Sequence, residues 1–294
     1  MCFNIKQKFK VSNCIVMDGK KVAEDSSKII REKSTELTKR FDRQPSLAAI
    51  IVGDDPASHT YVSMKEKACK DHGIITQTFR KPFNSKTMEI VELITSLNND
   101  DDIDGILLQH PVPKHIDESK CFNCIDISKD VDGVTTLGFG NMFMNQQAFK
   151  SCTPYGIMRL LKSYKIDLEG LRALVIGRSQ ILGKPMAGML LNADATVTIA
   201  HSKTKNLDEI IGESDLVVVA VGVPKFVKSH QLKPGSILID AGYHPQSKCG
   251  DVDLNGIEDI VSAYTPVPGG VGPMTINTLI LNTVLSMEAR LNVQ

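Results

Sequence analysis

The hydrophobic positions of this chain fall into two alternating kinds of run. Short apolar blocks at Leu47–Val52, Ile75–Phe79, Asp104–Gln109, Ala173–Ile176, Thr196–Ala200, Leu216–Val221 and Ser236–Asp240 have strand length and turn residues at their ends. Between them lie longer stretches of helical spacing. Val22 to Phe41 carries Val22, Ile29, Ile30, Leu37 and Phe41 among charges, and Pro45 ends it. Helices are expected over about Ser58–His72, stopped by Gly73, over Met88–Leu97, from the capped Thr153-Pro154, and over about Gly183–Leu191. A last helix over about Met274–Leu291 sets Ile276, Leu279, Ile280, Thr283, Val284 and Met287 on one face. Strand alternating with helix predicts an α/β fold built on parallel sheets. The turn-rich segment Lys129–Gly140 reads as a linker between two halves.

Composition narrows the class. The 294 residues suffice for one large or two ordinary domains, and 42% hydrophobic residues supply a core. Lys+Arg and Asp+Glu both number 34, so no basic stripe points to nucleic acid. Apolar runs such as Leu216–Val221 are too short for a bilayer, and no membrane partner is expected. Seven cysteines at irregular spacing favour a reducing compartment over a disulfide framework. Cys121 and Cys124 form a lone CxxC, read as two small helix residues, and no metal site is expected. Residues 1–14 carry three lysines without the apolar core of a signal peptide, and read as an extension of a cytoplasmic protein, an organellar address not being excluded.

The chemistry-bearing residues cluster at strand ends and glycine turns. Strand Ala173–Ile176 runs into Gly177-Arg178-Ser179 and, six residues after Gly177, Gly183, followed by helix and strand. That order suits a dinucleotide site, with pyrophosphate at a helix N-terminus, although the spacing departs from GxGxxG. After the next strand the chain reads Ala200-His201-Ser202-Lys203-Thr204. No carboxylate stands there to bind a ribose 2′-hydroxyl, while cationic and hydroxyl donors could take a 2′-phosphate. NADP is therefore favoured over NAD. Tyr61 and Lys65 lie four apart and share a helix face. They read either as a half-buried tyrosine beside a snorkelling lysine or as a proton-handling pair. Gln109 leaves an apolar strand at its C-terminal end, where open α/β sheets bind ligands. Asp130 and Asp132 precede Gly133 in an ordinary Asx turn or an acceptor for paired N–H donors.

Taken together, Tyr61-Val-Ser-Met-Lys65, Asp104–Gln109, Lys129-Asp-Val-Asp-Gly133, Gly177-Arg-Ser179, His201-Ser-Lys-Thr204 and Pro266–Thr275 resemble the bifunctional methylenetetrahydrofolate dehydrogenase/methenyltetrahydrofolate cyclohydrolase family, over roughly residues 15–290. The resemblance implies a folate-binding catalytic domain of residues 1–150 and 275–294, a Rossmann-type NADP-binding domain of residues 151–274, and an active-site cleft between them. It implies oxidation of 5,10-methylenetetrahydrofolate with NADP, then hydrolysis to 10-formyltetrahydrofolate. The catalytic lysine corresponds to Lys65, its companion tyrosine to Tyr61, the active-site glutamine to Gln109 and the pterin-binding aspartate to Asp132. Leu108, His110, Pro268, Gly269, Gly270, Val271, Gly272, Pro273, Met274 and Thr275 are expected to line the folate site. Gly177, Arg178, Ser179, Ser202 and Tyr243 are expected to contact the cofactor. The family is commonly homodimeric. This chain departs from it at His110, where leucine is usual, at Tyr243-His244, and in the extension at its start. Two alternative readings are an NADP-dependent dehydrogenase of another small substrate, of the shikimate type, and a folate- or nucleotide-binding regulator without turnover, against which the retention of Lys65, Tyr61 and Gln109 together argues.

Overall fold

The computed structural model describes residues 14–292; the expected extension lies almost wholly outside them. Among the described residues the chain forms two compact units. One comprises residues up to Lys20 together with Ile157–Pro273, the other Lys21–Gly156 together with the chain from Met274 onward. This division differs from the expected one at both seams. The short strand β1 (Ile15–Val16), missed in the sequence, pairs with a strand of the second half. Residues 151–156 stay with the first half.

In the unit carrying most of the first half, α1 (Gly19–Phe41) leads to β2 (Ser46–Val52), α2 (Pro56–Asp71), β3 (Ile75–Lys81), α3 (Thr87–Asn98) and β4 (Gly105–Leu108). The three strands form a parallel sheet in the order β3-β2-β4. Every residue of β2 is buried because helices cover both faces, and the sequence answers with a continuous apolar run in place of alternation. Ile30 and Leu37 of α1 enter the core, but Ile29 is 69% exposed, so the apolar stripe is narrower than its sequence spacing suggested. Residues 118–143, read in part as linker, hold two helices, α4 (Glu118–Asn123) and α5 (Thr136–Phe143). Side chains begin both: Asp117 accepts from the Lys120 N–H, and Thr135 from the Gly138 N–H.

The other unit starts in earnest after α6 (Cys152–Ser163), which crosses the seam. It contains β5 (Arg172–Ile176), α7 (Gly183–Leu191), β6 (Thr196–Ala200), α8 (Leu207–Glu213), β7 (Leu216–Val219), β8 (Val227–Lys228), β9 (Ile237–Asp240), β10 (Val252–Asp253) and β11 (Ala263–Tyr264). A six-stranded parallel sheet runs β1-β11-β9-β7-β5-β6, and β8 and β10 form a separate parallel pair. The chain moves outward from β5 in both directions, so a crevice opens at its carboxyl end.

The final helix, α9 (Val271–Asn292), returns to the first unit. Leu279, Ile280, Val284 and Met287 pack with Ile30, Leu37, Leu47 and Leu107 in one core. Truncating any one of them to alanine would cost about 2–5 kcal/mol. The helix begins three residues before the expected Met274. Half of the expected Pro266–Thr275 loop is therefore its first turn.

Candidate functional site

At the end of β2 the chain turns through Gly53, and Asp55 caps α2. Its carboxylate accepts from the Ser58 N–H and hydroxyl at 2.8 Å, and Pro56 enters at the start of the helix. The capped helix aims Lys65 at the carboxyl end of the sheet. There Gln109 follows the last residue of β4, its backbone N–H held by the Ile50 carbonyl. Lys65 Nζ donates to Gln109 Oε1 at 3.0 Å, and Gln109 Nε2 donates to the His110 carbonyl at 2.6 Å. Both ends of the amide are thus committed, which fixes its flip: oxygen to the lysine, nitrogen to the carbonyl. Gln109 is 9% exposed and Lys65 half-buried, whereas Tyr61 stands one turn before Lys65 and is exposed. The sequence pairing of Tyr61 with Lys65 on one helix face holds.

The two carboxylates of the Asp130–Gly133 turn separate cleanly. Asp130 is buried and accepts from the Val134 and Thr135 N–H groups at 2.9–3.1 Å. Burial pushes its carboxyl up and those donors pull it back. Asp130 therefore closes the turn. Asp132 remains half-buried beside Cys152. Cys152 is fully buried; burial and the neighbouring Asp132 carboxylate raise its thiol well above the ordinary cysteine range, so it stays a neutral packing group. The turn is anchored from α9, where Asn282 Nδ2 donates to the Val131 carbonyl at 2.8 Å and the Ser286 hydroxyl donates to the Ser128 carbonyl at 2.7 Å. Sequence reading missed these tethers. Their signal was present: Asn282 and Ser286 are polar residues in a helix whose neighbours are core, and both are buried.

The residues expected to line the folate site differ in burial. Leu108 is 1% exposed and belongs to the core of β4, so only Gln109 and His110 emerge beyond it. His110 is exposed and its Nδ1 lies 2.7 Å from Glu118 Oε1 of α4. Of the glycine-rich stretch, Pro268 and Gly272 are exposed, Gly269, Pro273 and Thr275 half-exposed, and Gly270, Val271 and Met274 buried. Gly270 is required by the protein itself. Its carbonyl lies against Gly19, the Gly269 carbonyl accepts from the Lys20 N–H at 2.9 Å, and a Cβ at position 270 would stand 2.6 Å from the Pro266 carbonyl. The Thr275 hydroxyl meets that of Thr153 at 3.1 Å.

In the other unit, Gly177 ends β5 at φ 129°, where a Cβ would strike the Ala220 carbonyl. The Ser179 hydroxyl accepts from the Leu182 and Gly183 N–H groups at 3.2 and 3.3 Å, and its carbonyl accepts from Lys184. Ser179 thus closes the turn that opens α7. Arg178, Ser202, Lys203 and Tyr243 are all exposed at carboxyl ends of the same sheet. A glycine turn at a helix N-terminus, with a guanidinium and an ammonium nearby and no carboxylate at the end of β6, fits a dinucleotide bearing a third phosphate.

This geometry can be set beside known proteins. A model of the "tetrahydrofolate dehydrogenase/cyclohydrolase, catalytic domain" matches residues 17–132, and one of the "tetrahydrofolate dehydrogenase/cyclohydrolase, NAD(P)-binding domain" matches residues 151–291. The chain belongs to the tetrahydrofolate dehydrogenase/cyclohydrolase family. The bifunctional protein FolD of Psychrobacter arcticus is 54% identical over 93% of each chain. The bifunctional FolD methylenetetrahydrofolate dehydrogenase/cyclohydrolase of Campylobacter jejuni superposes with a TM-score of 0.91 at 43% identity, over 94% of this chain and 99% of that one. The Trypanosoma brucei enzyme, solved with NADP and an inhibitor, gives 0.90 at 33% identity over 96% and 100%. Shikimate dehydrogenase from Aquifex aeolicus is 11% identical with a TM-score of 0.52, a likeness of fold alone that lends the shikimate-type alternative no chemistry. Among the described residues no helix is long and apolar enough to cross a membrane.

Proposed function

We propose that this protein oxidises 5,10-methylenetetrahydrofolate to the methenyl cation with NADP and hydrolyses that cation to 10-formyltetrahydrofolate. The observation that carries the reading is the Lys65–Gln109–His110 chain of hydrogen bonds at the carboxyl end of β4, in a chain of this family. Bound NADP would take up the hydride from the bridging methylene. Gly177, the turn closed by Ser179, Arg178, Ser202 and Tyr243 would hold it.

The rest is the work of side chains. In hydrolysis a water attacks the methenyl carbon and must lose a proton as the ring opens. Lys65 in its neutral form accepts that proton, directly or by relay. Gln109, rigid because both ends of its amide are committed, fixes the lysine nitrogen. Tyr61 packs on and hydrogen-bonds the folate. Asp132, spared the turn-closing duty that occupies Asp130, accepts from the pterin N–H groups. Gln109 and His110, at the carboxyl end of β4, lie along the pterin. Lys65→Met tests the assignment. Hydrolysis of methenyltetrahydrofolate, followed by loss of its absorbance, should fall to background while NADP still binds; retained hydrolysis would sink the role of Lys65.

Two finer readings go with this one. A homodimer is supported by β6, which ends the six-stranded sheet with Thr196, Thr198 and Ile199 exposed, next to the exposed Leu191 of α7. An edge strand with apolar residues calls for cover. A sedimentation measurement that finds only monomer at micromolar concentration counts against it. A cytoplasmic setting is supported by cysteines without a disulfide spacing, and localisation of a tagged chain would test it.

A further inference from the structure

The carboxyl ends of β7 and β9 carry a polar cluster that the chemistry above leaves unused. Asp251, with no exposure to solvent, precedes β10. Its Oδ2 accepts from the Val221 and Gly222 N–H groups at 2.7 and 2.8 Å, and its Oδ1 lies 2.8 Å from His244 Nε2. One carboxylate therefore joins the loop after β7 to the loop after β9. The Asp251 backbone N–H in turn donates to Asp240 Oδ1 at 3.0 Å. Asp240, at the end of β9, also accepts from the Gly242 and Val252 N–H groups at 2.9 Å. Both carboxylates are buried, 1% exposed or less. Burial pushes Asp240 up to about 6, its three N–H donors pull it back, and the neighbouring Asp251 charge adds to the rise.

The remaining charges around the cluster are already paired or turned outward. Lys225 and Lys228 each lie 3.6 Å from Asp253, and Lys248 is exposed. Cys249 meets the Ser247 hydroxyl, and its carbonyl accepts from the His244 N–H at 2.8 Å. His244 thus meets this pair of buried carboxylates through a side-chain nitrogen. It stands next to Tyr243, and the loops it links border the crevice that takes the cofactor in the reading above.

We propose that His244 is a positioning residue for the cofactor: its bond to Asp251 clamps the 221–222 and 242–249 loops together. The proposal rests on the assignment of an NADP site to this unit. A hydrogen bond to a carboxylate is roughly twice as strong as one between neutral groups, so this one contact holds the loop that carries Tyr243 firmly in place.

The test is NADP affinity of the full chain, measured by calorimetry at one pH and fixed ionic strength, for wild type, His244→Gln, His244→Ala and His244→Leu. Glutamine keeps a donor at the position of Nε2; leucine keeps much of the volume without one. His244→Ala and His244→Leu should bind NADP about tenfold more weakly than wild type, and His244→Gln should recover most of that loss. Wild-type affinity in His244→Leu overturns the proposal, even if His244→Ala does not fold. So does a His244→Gln that binds no better than His244→Leu. If wild type binds no NADP, the proposal and the cofactor assignment fall together.

Discussion

Replacing Gln109 separates two things that this side chain does. Its Oε1 accepts from Lys65 Nζ at 3.0 Å and its Nε2 donates to the His110 carbonyl at 2.6 Å. Gln109→Leu keeps the volume, removes both bonds, and leaves the lysine free to swing. A hydrogen bond to a group that can be charged is worth about 1.5–3 kcal/mol. If that energy is expressed in the reacting geometry, hydrolysis slows by about 10- to 150-fold. Gln109→Glu is the more informative change. A carboxylate can still accept from Lys65, but it has no N–H for the His110 carbonyl, so two acceptors would face each other at the present 2.6 Å. That repulsion moves the carboxylate off the seat from which it would hold Lys65, so Gln109→Glu should lose at least as much hydrolysis as Gln109→Leu. The assay is decay of methenyltetrahydrofolate absorbance, with NADP binding as a check on folding. If either variant hydrolyses as fast as wild type, the lysine-positioning argument is wrong.

Arg178→Ala should weaken NADP by about 10- to 100-fold while leaving NAD nearly unchanged, because a lost charge-assisted contact to the extra phosphate affects one cofactor only; parallel titrations of the two would show it. Asp104 has no exposure, accepts from both Arg43 nitrogens at 2.7 Å and from Arg290 at 3.2 Å, and holds the Ser46 N–H at 3.0 Å. Asp104→Asn strands two guanidiniums at the head of β4 and should cost about 2–3 kcal/mol, toward the low end for a broken buried pair because the arginines reach solvent, read as a lowered midpoint of thermal unfolding. For Asp240 the folded value of about 6 lies above the ordinary 3.8, so its contribution to stability is complete below about pH 4 and is lost as pH rises through 6. The stability of wild type relative to Asp240→Asn should fall by on the order of 3 kcal/mol between pH 4 and 7; a flat difference would contradict the burial argument.

What the sequence made legible follows from where the physics is local. Strand Leu47–Val52 and the last helix declared themselves because a buried parallel strand needs an unbroken apolar run and a packed helix needs a repeating stripe. The Tyr61–Lys65 register was legible for the same reason: four residues on a helix are one turn. Strand β1 was not. Two residues carry no periodicity, and Ile15–Val16 is a strand only because β11 offers an edge 248 positions away. The segment 129–140 misled because its turn chemistry is real: Asp130 does close an Asx-type turn, but Thr135 immediately caps a new helix. Ile29 misled because a stripe in sequence does not say how wide the buried face is.

The candidate site divides along the same line. Gln109 could be located from sequence because a polar residue ending an apolar strand has one place to go. What it does there could not, since that depends on a lysine 44 positions earlier and on which way an amide is turned. The glycine-rich stretch shows the converse. Read alone it suggested close approach to a ligand, and Gly270 does make a close approach, to the backbone of Gly19 and Pro266. A glycine reports that something is near and not what it is. Polar residues inside apolar patterns are the better guide in this chain. Gln109, Asn282, Ser286 and Asp240 are each buried where the pattern asks for a hydrophobe, and each holds a loop or turn. Burying such groups is costly unless they are bonded. The loops they hold are therefore among those whose position the fold fixes most strictly.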